Sequence, residues 1–456
     1  MTAQPEKWSG RIGFILATIG SAVGIGSIWK FPYEVGANGG STFVLFYVLG
    51  LVLVVVPLML AEFAIGRRGG ADPSGSIAAV AQAAGSSPRW AAAGVLGVLT
   101  GYLILSFYSV IGGWTLGYAV ETALYGLPGA DPQAVAARFD AFLASPWQML
   151  GWHALFMAVS AVVVVRGVEK GIETAAKVLM PLLVVLMLLL AAWSIAEGDL
   201  AATLRFLLEP DLRHLNARTA LEALGLGFFS IGVGLGMMIT YAAYSGAEIS
   251  LRQVAVASVA ADTVISLLAG LAVFPIVFAH GLDPASGPGL VFVTLPLAFA
   301  GMPFGATAAI AFFLLLCVAA LASAISLLEL VVSLLMRRMK WRRKPAVAIA
   351  ASTCFLAGIA TVLSFNAWAD WRPLASLGIA SSATLFDLLD ELTSNLMLPL
   401  GGLAIALFAG WAAPQPMLVE ELRLGPTGAR ALRFALRYVA PLGIVAATLS
   451  TMLLGG

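Results

Sequence analysis

The sequence predicts an all-α integral membrane protein with eleven transmembrane helices, built as two halves of five with one further helix behind them. Three observations predict it. Of 456 residues, 60% are hydrophobic and 11% charged, more apolar surface than a water-soluble core of ordinary shape can bury. The apolar residues fall into runs of about 20 or more, the length that crosses a bilayer as a helix. Two of those runs, the first and the sixth, are broken near their middle by clustered glycines, at corresponding positions of the two halves.

The spans are expected near 11–35, 41–66, 90–124, 148–166, 173–196, 219–243, 252–280, 304–336, 346–366, 381–411 and 430–454. If the polar first ten residues stay in the cytoplasm, uncleaved, most of the 25 Lys and Arg fall at cytoplasmic ends, including the run RRMKWRRK at 337–344. An odd number of spans then puts the C-terminus outside. Residues 1–411 read as the core, with repeats at about 11–196 and 219–411. Residues 412–456, a polar Pro-containing loop and the eleventh span, read as the part that sits outside it. The Gly- and Pro-punctuated stretch 281–303 is expected to form a structured external loop over an entrance. Cys317 and Cys354 lie in apolar runs and His153, His214 and His280 are scattered, so neither disulfides nor a metal cluster is expected. A net charge of +1 gives no reason to expect nucleic acid as a partner, and nothing in the chain signals an oligomeric state.

The first broken span, RIGFILATIGSAVGIGSIWKFPY at 11–33, carries Gly20, Gly24 and Gly26 with Ser21 and Ser27 among them. Non-helical backbone at membrane depth survives only where protein or a watery cavity satisfies its polar groups, so a break there suggests a site. Freed carbonyls can hold a cation, and the N–H groups opening the second half-helix, Ile25 to Ile28, can hold an anion. The sixth span repeats the anomaly in FFSIGVGLG, Phe228 to Gly236. Close helix packing explains such glycines one cluster at a time; matched clusters in two halves point to a transporter site at the repeat interface.

The stretches WSGRIGFILATIGSAVGIGSIWKFPY, NGGSTFVLFYVL, PLMLAEFAIGR, YSVIGGWTLGY, RGVEKGIE, FFSIGVGLG and TYAAYSG resemble the neurotransmitter:sodium symporter family, in its bacterial eleven-helix branch. The resemblance covers spans one to ten. It implies the LeuT fold, a 5+5 inverted repeat that is itself the type case of the broken-helix rule, and uptake of an amino acid. By this resemblance the substrate carboxylate sits on the amides at Gly24, Ile25 and Gly26 and on the hydroxyl of Tyr108. Relatives that take amines without a carboxylate supply an acid at the Gly24 position, and this chain has none. The ammonium is expected on carbonyls near Ala22, Phe229 and Ser230. The side-chain pocket is expected from Ser21, Ile104, Phe229, Gly232, Leu235, Ser323 and Leu327, all apolar or small, which favours a neutral, bulky or aromatic amino acid.

The resemblance also implies sodium, at one or two sites. The first would use Ala22, Ser27, Ser230 and Asp262, with Ser27 and Asp262 in place of two asparagines of the family. A carboxylate in the membrane is a functional hypothesis by default. Asp262, with Ser266 one turn along, would supply the charge that chloride supplies in chloride-dependent relatives, so no chloride is expected. The second site would use Gly20, Val23, Ala319 and Ser323; Ala322 replaces a threonine hydroxyl there, which weakens it, since sodium wants oxygen ligands. Asp262 leaves proton coupling open, and a non-transporting amino-acid sensor on the same fold is the runner-up. No HExxH or comparable constellation suggests an enzyme. Lys30 and Asp390 are expected to form the outer gate. Pro5 stands where relatives carry the inner-gate arginine, and Glu6 with Arg337 is the expected substitute pair. Glu62, in apolar span two, is expected to hydrogen-bond the opened backbone of span six.

Overall fold

The computed structural model describes residues 6–209, 211, 213, 215–282, 289–375 and 382–454, and among these the regular structure is helical throughout. Among the described residues, nine helices are long and apolar enough to cross a membrane: Ser41–Gly69, Pro88–Tyr125, Pro146–Val165, Val168–Glu197, Leu251–Ala279, Gly305–Arg338, Arg343–Ser364, Leu385–Ala412 and Pro426–Ser450. A tenth span is a bent pair, Arg11–Ala22 with Gly26–Ala37, meeting at 54°. The sixth run divides into Ala217–Ile231 and Met237–Ala243, each too short to cross alone, so a count of eleven rests on taking the two together.

Several ends follow local rules. Asp72, Asp131, Asp199 and Asn216 cap the N-termini of Pro73–Ala83, Pro132–Leu143, Leu200–Leu208 and Ala217–Ile231 through their side chains. Thr384 and Asp387 form a reciprocal capping box at the start of the tenth span. Within the stretch 281–303, residues 281–282 and 289–303 are described; the latter contain a short helical piece, Leu290–Ala300, and its Phe292 lies against Trp29, Trp114, Tyr118, Phe139 and Phe313.

The broken spans one and six lie at the centre. Span one packs against spans five, seven and eight, and the second half of span six against spans two and eight. The segment after residue 411 is tied to the rest: Glu421 pairs with Arg67 at 2.8 Å and with Arg68 at 2.6 Å, and the eleventh span packs against the first half of span six.

Candidate functional site

Glycine has a different task in each break. In span one the helix stops at Val23, whose backbone is extended (φ −81°, ψ 104°), and the glycines are needed for space. A Cβ on Gly24 would lie 2.7 Å from Ser323 Oγ and 2.9 Å from the Tyr108 hydroxyl; one on Gly26 would meet Phe229 and the Ser230 backbone at 3.3 Å. In span six the need is conformational. Gly232, Gly234 and Gly236 have φ of 70°, 97° and 81°, the left-handed region that L side chains rarely adopt. The Gly234 N–H freed by this turn donates to Oε1 of the fully buried Glu62 at 2.5 Å, as expected of that carboxylate.

Between the breaks lies a cavity of about 40 Å³. It is lined by Ser21, Gly24, Ile25, Gly26, Ile104 and Tyr108, by Phe229, Ser230, Gly232 and Leu235, and by Ser323 and Leu327. The structure thus brings together every substrate residue expected from sequence except Ala22, which is buried behind the wall. Met237 and Leu398 also line it and were not anticipated; Met237 directly follows the glycine run, which could have pointed to it. No lining side chain is charged. At one end the Ile25 N–H donates to the Tyr108 hydroxyl oxygen at 3.2 Å, an amide and a hydroxyl placed together beside the start of the second half-helix. The volume holds roughly three waters, so a larger guest requires the apolar walls to move.

Beside the cavity three hydroxyls surround the fully buried Asp262. Ser27 and Ser230 donate to Oδ1 at 2.6 and 2.9 Å and lie 2.8 Å from each other; Tyr47 donates to Oδ2 at 2.7 Å. Ser266, one turn along from Asp262, is fully buried. Hydroxyl and carboxylate oxygens without nitrogen or sulfur are the donor set of a hard cation, so the residues fit sodium. Tyr47 was not expected, since an aromatic in an apolar span gives no sign of which polar group its hydroxyl reaches. At the second candidate site Ser323 Oγ lies 3.4 Å from the carbonyl oxygens of both Gly20 and Val23. Ala319 is buried on the same helix, and Ala322 turns a methyl toward Gly20, where an added Cβ would come within 3.3 Å of it. Three oxygens converge there, and no side-chain hydroxyl comes from position 322.

The outer pair is not formed in this conformation. Lys30 Nζ lies 4.7 Å from the centroid of the Phe229 ring, and Asp390 accepts from Ser394 within its own helix at 2.8 Å. Over Phe229 opens a second cavity of about 580 Å³, bordered by Lys30, Glu34, Arg218, Glu222 and Asn395. Phe229 lines both cavities and so divides them. The expected pair of Glu6 with Arg337 is corrected by the structure: Glu6 binds Arg343, and Arg337 donates to the Gly70 carbonyl and lies 3.8 Å from Asp72. The reason is position. Arg337 closes the end of span eight beside the 70–72 turn, whereas Arg343 opens span nine and turns back toward the N-terminal segment. Pro5 lies outside the described residues. Nearby, Trp8 is buried, its indole N–H donating to the Tyr241 carbonyl at 2.8 Å.

A model of the sodium:neurotransmitter symporter family matches residues 5–137 and 143–368. The chain is 37% identical over 446 residues to the sodium-dependent transporter YhdH of Bacillus subtilis (strain 168), covering 97% of this chain and 96% of the relative. It is 31% identical over 416 residues to a sodium-dependent transporter of Haemophilus influenzae, covering 90% and 89%. Among solved structures, that of MhsT in complex with L-phenylalanine matches with a TM-score of 0.88 at 41% identity, over 98% of this chain and 99% of that one. Likeness of this extent, reaching through both broken helices and the oxygen-lined pockets beside them, settles the matter: the chain belongs to the sodium:neurotransmitter symporter family and is a sodium-dependent symporter on the LeuT fold, not an enzyme.

Proposed function

We propose that the chain imports a neutral, hydrophobic L-amino acid, bulky or aromatic, by sodium-coupled alternating access without chloride. The observation that carries this reading is the uncharged cavity whose polar end pairs the Ile25 amide with the Tyr108 hydroxyl. An amide and a hydroxyl suit a carboxylate, and with no acid at Gly24 the substrate must bring its own. The remaining walls offer apolar contact only, which selects against charged side chains. The L-phenylalanine bound to MhsT supports the aromatic end of the range. The three hydroxyls around Asp262 support a first sodium site there, whose charge the carboxylate would meet from within the protein. The face that carries Trp8 and most cationic residues would be cytoplasmic and the face that carries Lys30 external, in a bacterial inner membrane.

The test is binding and uptake by the reconstituted protein with L-phenylalanine, L-leucine, L-glutamate, L-lysine and phenethylamine, in sodium or choline, at two pH values. Sodium-dependent binding of the first two alone is expected. Equal binding of phenethylamine, which lacks a carboxylate, overturns the anchoring; binding that follows pH and ignores sodium moves Asp262 to the role of proton carrier. Binding without counterflow of labelled amino acid identifies a sensor.

A further inference from the structure

Arg430, Arg433 and Arg437 fall at i, i+3 and i+7 of the helix Pro426–Ser450 and so share one face of span eleven. Among the described residues none of the three pairs with a carboxylate. Arg430 Nε reaches the Pro426 carbonyl of its own helix at 3.4 Å, Arg437 Nε donates to the Gly410 carbonyl of span ten at 2.7 Å, and Arg433 Nε is buried with no hydrogen-bond partner. The acids of the preceding helix are already engaged, Glu420 with Arg68 and Glu421 with Arg67 and Arg68. Like charges one turn apart on a helix repel, and a buried donor without an acceptor is costly. Together they call for an anion from outside the chain.

Arg437 is held in one place. A Cβ on Gly410 would lie 3.0 Å from Arg437 Cγ and 3.2 Å from its backbone nitrogen, so the glycine makes room for the arginine stem to cross span ten. The guanidinium then lies over the Trp411 ring, 4.6 Å from its centroid. Tyr438 meets the same ring edge-on at 5.8 Å and Phe434 meets Tyr438 at 5.3 Å; all three aromatics are exposed. The terminal nitrogens of Arg437 have no partner among the described residues.

The depth is that of lipid phosphate. The apolar run 438–454 is roughly 25 Å long as a helix, close to the thickness of the hydrocarbon core, so Arg437 stands at headgroup level with Arg433 and Arg430 beyond it. Exposed Trp and Tyr belong at that level. A basic side chain at an interface needs no ligand when it can snorkel to water. Here Arg433 Nε is shut away from water and Arg437 is tied to span ten, so neither is free to do so.

We propose that this face binds the phosphate of an anionic phospholipid where span ten meets span eleven. Arg433 and Arg437 hold the phosphate oxygens, Arg430 adds charge on the water side, and Trp411, Phe434 and Tyr438 flank the glycerol and upper acyl chains. A zwitterionic lipid is disfavoured, because no free carboxylate stands by to receive its ammonium. Span eleven packs against span ten and the half-helix Ala217–Ile231, so the bound lipid braces the outer side of the broken sixth span.

The test counts lipid and uses no substrate, so it stands apart from the function proposed above. The full chain, purified in detergent and stripped of lipid, is titrated with phosphatidylglycerol, phosphatidylcholine or glycerol 1-phosphate; native mass spectrometry reads retained lipid and thermal unfolding reads stabilisation. A single phosphatidylglycerol is expected to bind about tenfold more tightly than phosphatidylcholine, and glycerol 1-phosphate to leave the unfolding midpoint where it was. Arg433→Gln with Arg437→Gln should weaken phosphatidylglycerol binding about tenfold, and Arg430→Gln, at an exposed position that folding does not depend on, about threefold. Arg252→Gln with Lys340→Gln removes equal charge elsewhere and should change nothing. Equal binding of phosphatidylcholine, stabilisation by glycerol 1-phosphate alone, unchanged phosphatidylglycerol binding in the arginine variants, or an equal loss in the Arg252 and Lys340 variant each overturns the site.

Discussion

Gly24→Ala tests the centre of the site with one methyl group. The added Cβ would stand 2.7 Å from Ser323 Oγ and 2.9 Å from the Tyr108 hydroxyl, both inside normal contact distance. Neither neighbour yields easily: Ser323 is a buried residue within span eight, and Tyr108 holds the Ile25 amide. Overpacking of this kind costs about 1–3 kcal/mol, and a displaced Tyr108 also forfeits a hydrogen bond to a charged group, about 1.5–3 kcal/mol. The two losses share one cause and do not add, so affinity for L-phenylalanine should fall about 12- to 150-fold. Because Ser323 is also proposed to serve a second sodium site, the sodium concentration for half-maximal binding should rise with it. Gly24→Asp adds a carboxylate where the substrate's own is proposed to sit, and should abolish binding. Equilibrium binding of labelled L-phenylalanine across a sodium series, on protein checked for thermal stability, measures both quantities. A folded Gly24→Ala protein with affinity within about twofold of the parent would refute the placement of the carboxylate at the span-one break.

Tyr108→Phe removes the hydroxyl and keeps the ring, and is expected to weaken amino-acid binding by about 1.5–3 kcal/mol in the same assay; an unchanged Kd takes Tyr108 out of the site. Replacing chloride by gluconate should leave sodium-driven uptake unaltered, since Asp262 is proposed to supply the balancing charge beside a first sodium site; loss of uptake contradicts that role. Ala322→Thr should supply the missing oxygen at the second sodium site and lower the sodium needed for half-maximal binding. No shift, with sodium dependence otherwise intact, means that site is not used.

The span limits were legible because a membrane helix announces itself by length and hydropathy, and each expected span lies within a few residues of its helix. The existence of two breaks was legible from glycine density, but their cause was not. GSAVGIG and GVGLG look alike in sequence; only the structure separates glycines that make room for Ser323, Tyr108 and Phe229 from glycines that turn the chain through positive φ. The pocket list came from family resemblance, which carries positions but not neighbours drawn in by packing. Met237 and Leu398 belong to that second kind, and Tyr47 is invisible for the same reason.

The partner of Glu6 is the instructive failure. Six cations crowd into residues 337–344, and nothing local distinguishes the one that turns inward, so the run reads as a solvated cytoplasmic loop. The signal lay elsewhere, in Glu329. It interrupts the apolar stretch SLLELVVSLL as Glu62 interrupts PLMLAEFAIG and Asp262 interrupts its own span. A carboxylate at membrane depth needs donors, and the rule that singled out Asp262 and Glu62 applies to it equally. Glu62 finds backbone freed by a broken helix and Asp262 finds three hydroxyls, so neither pairs with a basic side chain. Glu329 stands against no break, and Tyr244 satisfies one oxygen only in part. Its remaining demand falls on an arginine, whose fork can serve two carboxylates together. Arg337 and Arg338 continue Glu329's own helix away from it, and an arginine that opens the following antiparallel helix comes back alongside. Arg343 is that residue, fourteen positions on from Glu329.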